Sequence, residues 1–334
     1  MYTPDVPLRA GLTYGLSPAT LRWGLGAVRH VVAPAGPWPT QAGRLADAVL
    51  WKAEITLDPR SIEPISPSAA ALALPQPELR VQLVRLAIMA AMVDGRPDEA
   101  TVRRVEQLAA ALDVDSPALL DLRYLSQGRH LRLWLHLMPR FWVADALRRH
   151  VRAHGWWSVV RMIGVTLRLW SDRRVTARFE AFDDRPNTLG KRLLEFLRGA
   201  SIPLPGHRGA APYLVAYHDL SHVLAGYATD PRSEVQAACF QAGYRQADPF
   251  TLVFFVLCQF HLGLRMTPAA KAEVGCFDPF RAIDALYRGA AMNRDLTDGT
   301  WDFWAYLGED VDDLRRRYHV VPPASPPRPT SQAA

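Results

Sequence analysis

The ten residues Tyr217-His218-Asp219-Leu220-Ser221-His222-Val223-Leu224-Ala225-Gly226 carry the densest chemistry in the chain. On a helix, His218 and His222 stand about 40° apart, one turn above the other, and Asp219 lies about 60° from His222. Neutral imidazoles at this spacing can chelate a divalent ion without strain. Leu220, Val223 and Leu224 give the same helix an apolar backing. Glu234 follows twelve positions after His222. In one continuous helix it would be about 18 Å away, out of reach of a shared ion. Gly226 can end the first helix, and Asp230-Pro231 can open a returning one with Glu234 in its first turn. A carboxylate is electrostatically favoured there. Two histidines from one helix and a carboxylate from its neighbour are the parts of a metal site in a bundle core.

The rest of the chain must hold those two helices in place. Its 334 residues are 49% hydrophobic and 22% charged, with a formal charge of +6. These values fit a globular chain rather than a disordered, collagenous or disulfide-dense one. Cys239, Cys258 and Cys276 show no Cys-x-x-Cys spacing, and the N-terminus lacks the basic-then-apolar pattern of a secretory signal. The expected location is therefore cytoplasmic. The strongest apolar run, Leu252 to Cys258, is well short of the roughly 20 residues needed to span a bilayer.

Helical periodicity dominates and no alternating run demands a sheet, so the expected fold is all-α with two helical domains. Residues 1–75, rich in Pro and Ala, read as an arm with one helix at about Gln41 to Ile55. Residues 76–170 read as a helical domain with further helices, with a break expected at Pro139. Residues 171–320 read as a helical bundle carrying the metal site, and 321–334 as a disordered tail by composition.

Other residue groups invite chemistry less strongly. Asp94, Asp98 and Glu99 could hold a cation in the Asp94-Gly95-Arg96-Pro97 loop, but a tight turn with charges favoured at a helix start explains them better. His150 and His154 fit a helix C-terminus better than a metal pair. Arginines among Trp142, Trp156, Trp157 and Trp170 suit a core helix with a basic face, or a bilayer interface. No nucleic-acid motif accompanies them. The apolar helix at 249–266 could wall a tunnel or form the core. Arg281 and Arg288 are expected on a solvated face.

Two resemblances attach to these residues. The helix–Asp-Gly–helix stretch within 78–112 resembles the tellurite-resistance TerB-like helical domain. The pattern His218-Asp219-x-x-His222, eleven residues, then Glu234, resembles the hallmark of the coenzyme Q (ubiquinone) biosynthesis protein four family. Gly226, Thr188 to Leu197, Tyr287-Arg288-Gly289 and Trp301 to Leu307 extend that likeness over about 175 to 320. Ser221 and Ser233 stand where the family commonly has Trp and Gly.

The second resemblance implies a divalent metal ion, either zinc or a redox-capable ion such as iron, manganese or cobalt. It implies His218, His222 and Glu234 as ligands. Asp219 is then a fourth ligand, or a catalytic carboxylate near the ion that fixes an imidazole tautomer. The implied partners are a polyprenylated aromatic lipid, other quinone-biosynthesis enzymes, the inner face of the cell membrane as a peripheral surface, and a second copy of the chain in a homodimer. The implied reaction is oxidative removal of a ring carboxylate. Two alternatives stay open: a non-catalytic lipid-binding scaffold, and an all-α His-Asp phosphohydrolase using His207 with Asp248 or Asp278.

Overall fold

The computed structural model describes residues 17–268 and 270–325. The expected N-terminal arm at 1–16 and most of the expected tail, 326–334, lie outside the described residues. The fold is all-α, and no strand occurs among the described residues, only two isolated bridges. The helices are α1 Pro18–Val32, α2 Thr40–Lys52, α3 Pro67–Ala73, α4 Pro77–Met92, α5 Glu99–Ala111 and α6 Pro117–Ser126. They continue as α7 His130–Leu137, α8 Trp142–His154, α9 Trp156–Thr166, α10 Arg173–Glu180 and α11 Leu189–Gly199. The last six are α12 Ala216–Ala225, α13 Pro231–Tyr244, α14 Phe250–Phe260, α15 Pro279–Ala291, α16 Phe303–Tyr306 and α17 Val311–Arg317.

The 1–75 segment carries more helix than its composition suggests. Besides α2, it forms α1 and α3, each opened by a serine cap and a proline: Ser17-Pro18 and Ser66-Pro67. Proline there costs no hydrogen bond, because the first N–H groups of a helix have no intrahelical partner. α1 buries Leu21, Leu25, Val28 and Val31 and packs on α4 and α5. Pro139 breaks the long helical stretch as its chemistry requires: a short 3₁₀ turn, Met138–Arg140, separates α7 from α8.

One apolar cluster runs through the molecule from Leu21 to Tyr318. α14 is its centre, with all eleven residues buried. α2 packs on α15, where Lys52 pairs with the buried Asp284. α13 and α15 cross backbone to backbone: a Cβ at Gly289 would stand 2.0 Å from the Phe240 carbonyl oxygen. Only hydrogen fits at that crossing, and it fixes α13, which carries Glu234. α9 sits apart on a small cluster of Val159, Met162 and Leu214.

Candidate metal centre

α12 and α13 form the antiparallel pair that the turn residues imply. Gly226 adopts the left-handed conformation, φ 77°, and its N–H closes on the His222 carbonyl. Asp230 caps α13 through the Arg232 and Ser233 N–H groups, placing Glu234 in the first turn.

Two arginines seal the C-terminal end of α12. Arg288 donates to Ala225 O, the Tyr227 hydroxyl and Val321 O, and Arg315 donates to Leu224 O and Val223 O. These are the carbonyls that a helix end leaves unpaired, and cations suit them. Arg288 is therefore buried, 2% exposed, and not on the solvated face expected for it.

The His218, His222 and Glu234 side chains converge, each offering one ligand atom within 4.8 Å of the others. His218 Nε2 lies 3.1 Å from Glu234 Oε2 and 3.1 Å from His222 Nε2, and His222 Nε2 lies 3.6 Å from Glu234 Oε1. Ligands about 2.0–2.2 Å from a tetrahedral or octahedral ion stand about 3.0–3.5 Å apart, so these separations fit a common ion. His222 is 1% exposed, while His218 and Glu234 are 23% and 22% exposed, so the centre is closed at His222 and open at the other two.

The far side of each ring supports the same reading. His222 Nδ1 lies 2.8 Å from Ala228 O, and His218 Nδ1 lies 3.3 Å from the amide oxygen of Gln241. Both acceptors are oxygens, so each Nδ1 carries a proton, and each ring, when neutral, turns its Nε2 lone pair inward. The three inward-facing groups call for positive charge between them, which a metal ion or a proton on His218 Nε2 would supply. Gln241 is itself fixed: its amide nitrogen donates to Ser221 Oγ, which is 2.9 Å from the Tyr244 hydroxyl. Gln241 was not singled out from the sequence. Its seven-residue spacing from Glu234, two turns along one helix face, is the signal that would have found it.

Electrostatics follow from this crowding. Burial pulls the His218 pKa down, but the Glu234 hydrogen bond and charge outweigh it and push it up to about 9. Burial raises the Glu234 carboxyl, yet hydrogen bonds with His218 and His222 hold it well below its ordinary value. Asp219 is pushed up to about 6 by burial, with partial relief from His218 and His222.

Asp219 stands outside the converging group. The tautomer-fixing role considered for it belongs instead to Gln241 and the Ala228 carbonyl. The carboxylates considered for a phosphohydrolase each have a partner elsewhere. Asp248 pairs with Arg140, and Asp278 caps α15 through the Phe280 and Arg281 N–H groups. Among the described residues, His218, His222 and Glu234 are the group that could hold a metal ion.

The remaining candidates resolve into structure. Asp94 accepts from Gln41 N and Ala42 N at 2.8 Å each, capping α2, whose own N-cap Pro39 offers no side-chain acceptor. Asp98 caps α5 through Thr101 N. No helix among the described residues is long and apolar enough to cross a membrane. Comparison with protein-family models, curated proteins and solved structures finds no match to this chain.

Proposed function

We propose that the chain is a divalent-metal protein of ubiquinone biosynthesis that binds a polyprenylated aromatic precursor and oxidatively removes its ring carboxylate. Dioxygen is the two-electron oxidant, the carboxylate leaves as carbon dioxide and a hydroxyl takes its place. The observation that carries this reading is the convergence of His218, His222 and Glu234, with both imidazoles held from behind in the tautomer a metal requires. Two nitrogens and one oxygen suit zinc, iron, manganese or cobalt and leave coordination positions open. When bound, such an ion supplies Lewis-acid polarisation and, if redox-capable, a route for oxygen chemistry. Glu234 offsets one positive charge, and the buried His222 anchors the centre on its closed side. Asp219, at the border of the centre, is assigned to holding a substrate group or a proton there.

The likeness of the His218-Asp219-x-x-His222…Glu234 pattern to the coenzyme Q biosynthesis protein four family supports the substrate class. Exposed Trp156, Trp157, Leu167 and Leu169, set among arginines, support work at a membrane surface.

The test is metal analysis of wild type beside His222→Ala and Glu234→Ala, followed by decarboxylation assays with each candidate metal. Near-stoichiometric metal in wild type, lost in both variants, together with turnover by wild type alone, is the expected result. Metal without turnover would leave a scaffold role. Metal-free wild type that takes up no divalent ion would overturn the reading.

A further inference from the structure

A cavity of about 900 Å³ is separate from the metal centre: none of His218, His222 and Glu234 lines it. Its wall comes from α8, α9, α10, the 211–217 segment and the 299–304 segment. That volume suits a small organic molecule.

Charge narrows the class of occupant. Arg149, Arg161, Arg174 and Arg178 line the cavity against Asp172 and Asp302, four guanidiniums facing two carboxylates. Asp172 is already paired with Arg161 at 2.8 Å, and Arg174 pairs with no carboxylate among the described residues. The excess of two positive charges matches a phosphomonoester, which carries about −1.5 to −2 at pH 7 and three acceptor oxygens. Guanidinium groups recognise such an anion in forked geometry. Aromatic rings supply the rest of the wall. Trp157 is 76% exposed at the cavity, and the Trp304 ring lies 3.7 Å beneath the Arg178 guanidinium.

One buried side chain points independently to a ligand. His150 is 8% exposed, lines the cavity and leaves Nε2 with no hydrogen-bond partner. Its Nδ1 is 3.2 Å from the Tyr213 hydroxyl. Burial, and then the charge of His154, hold this imidazole below its ordinary pKa, so it is neutral at pH 7. In the tautomer that accepts from Tyr213 at Nδ1, the ring proton sits on Nε2 as a desolvated donor, which costs free energy unless an acceptor arrives.

We infer that this cavity is a second binding site, for an organic phosphomonoester with an aromatic or apolar body. The phosphate meets Arg174, Arg178 and His150 Nε2–H, and the body lies along Trp157 and Tyr213.

The probe is 1-naphthyl phosphate, titrated into the full chain by calorimetry with and without EDTA. Saturable binding is expected, unchanged by chelation and at least tenfold tighter than 1-naphthol or inorganic phosphate alone. Arg174→Glu, at an exposed position, is expected to weaken it at least tenfold with unchanged circular dichroism, and His150→Phe to weaken it less. Displacement by phosphatidic acid vesicles, but not by phosphatidylcholine vesicles, assigns the phosphate to a lipid headgroup. No displacement assigns it to a soluble metabolite, and either result supports the site. Binding that fails to saturate at millimolar probe, that is indifferent to Arg174→Glu, or that is lost with EDTA overturns the proposal. Loss with EDTA would move the probe to the metal centre and leave the metal reading untouched.

Discussion

Two acidic clusters in this chain are written in similar residues and end in different chemistry. Around Asp94 and Asp98 each carboxylate is consumed by backbone N–H groups, of α2 in one case and α5 in the other. Around His218 and His222 the carboxylate of Glu234 faces the Nε2 atoms of two imidazoles whose Nδ1 atoms are held by oxygens on the opposite side of each ring. The difference lies in where the hydrogen bonds go. A carboxylate satisfied by a helix start has little left to offer a cation, whereas one set against two imidazole Nε2 atoms is placed to share one.

The contrast breaks most visibly at His222. His222→Ala is expected to lower divalent-metal affinity at least a hundredfold, measured by competition with a chelator, while Asp94→Ala leaves it unchanged. In thermal unfolding, metal at one hundred times the wild-type Kd stabilises wild type and Asp94→Ala by about 2.7 kcal/mol, and His222→Ala by about 0.4 kcal/mol or less. Equal metal affinity in wild type and His222→Ala would erase the distinction between the two clusters.

A smaller effect is expected behind the ligands. Gln241→Leu removes the acceptor that orients His218, and partners of this kind are worth about 10–100-fold in affinity. The same titration checks it, with folding followed separately because Gln241 is fully buried. Asp94→Ala should cost about 1–2 kcal/mol of stability as a lost helix cap, read from urea unfolding. No such loss would mean that α2 does not depend on its remote cap.

The unequal legibility of the parts has physical reasons. The α12–α13 hairpin could be read because Gly226, Asp230 and Pro231 act locally, within a turn of the residues they punctuate. Helices α1 and α3 were obscured by prolines that open helices as readily as they break them. α10 carries little apolar signal of its own, because its Arg173–Glu180 sequence is strongly polar and buries only Thr176 and Phe179. Arg288 was misplaced because arginine ordinarily faces solvent, and only the fold brings Ala225 O, Tyr227 and Val321 around it. The arginine-lined cavity draws on six separated segments, so no local spacing could announce it.

The finest test of the comparison is acid sensitivity at Asp98. Hydrogen bonds from Thr101, through the backbone N–H first, hold this carboxyl below its ordinary 3.8. The folded chain thus prefers the charged form more than the unfolded chain does. The sign follows: the stabilisation is fully present above 3.8 and is withdrawn as pH falls through the lower folded value. Asp98→Asn keeps a side-chain oxygen for the cap but cannot titrate. Urea midpoints at pH 6 and pH 3 should therefore show wild type losing more than the variant on acidification, by a small margin because the group is exposed. Parallel losses would mean that the Asp98 charge contributes nothing to the cap, and a neutral oxygen would then serve α5 equally well.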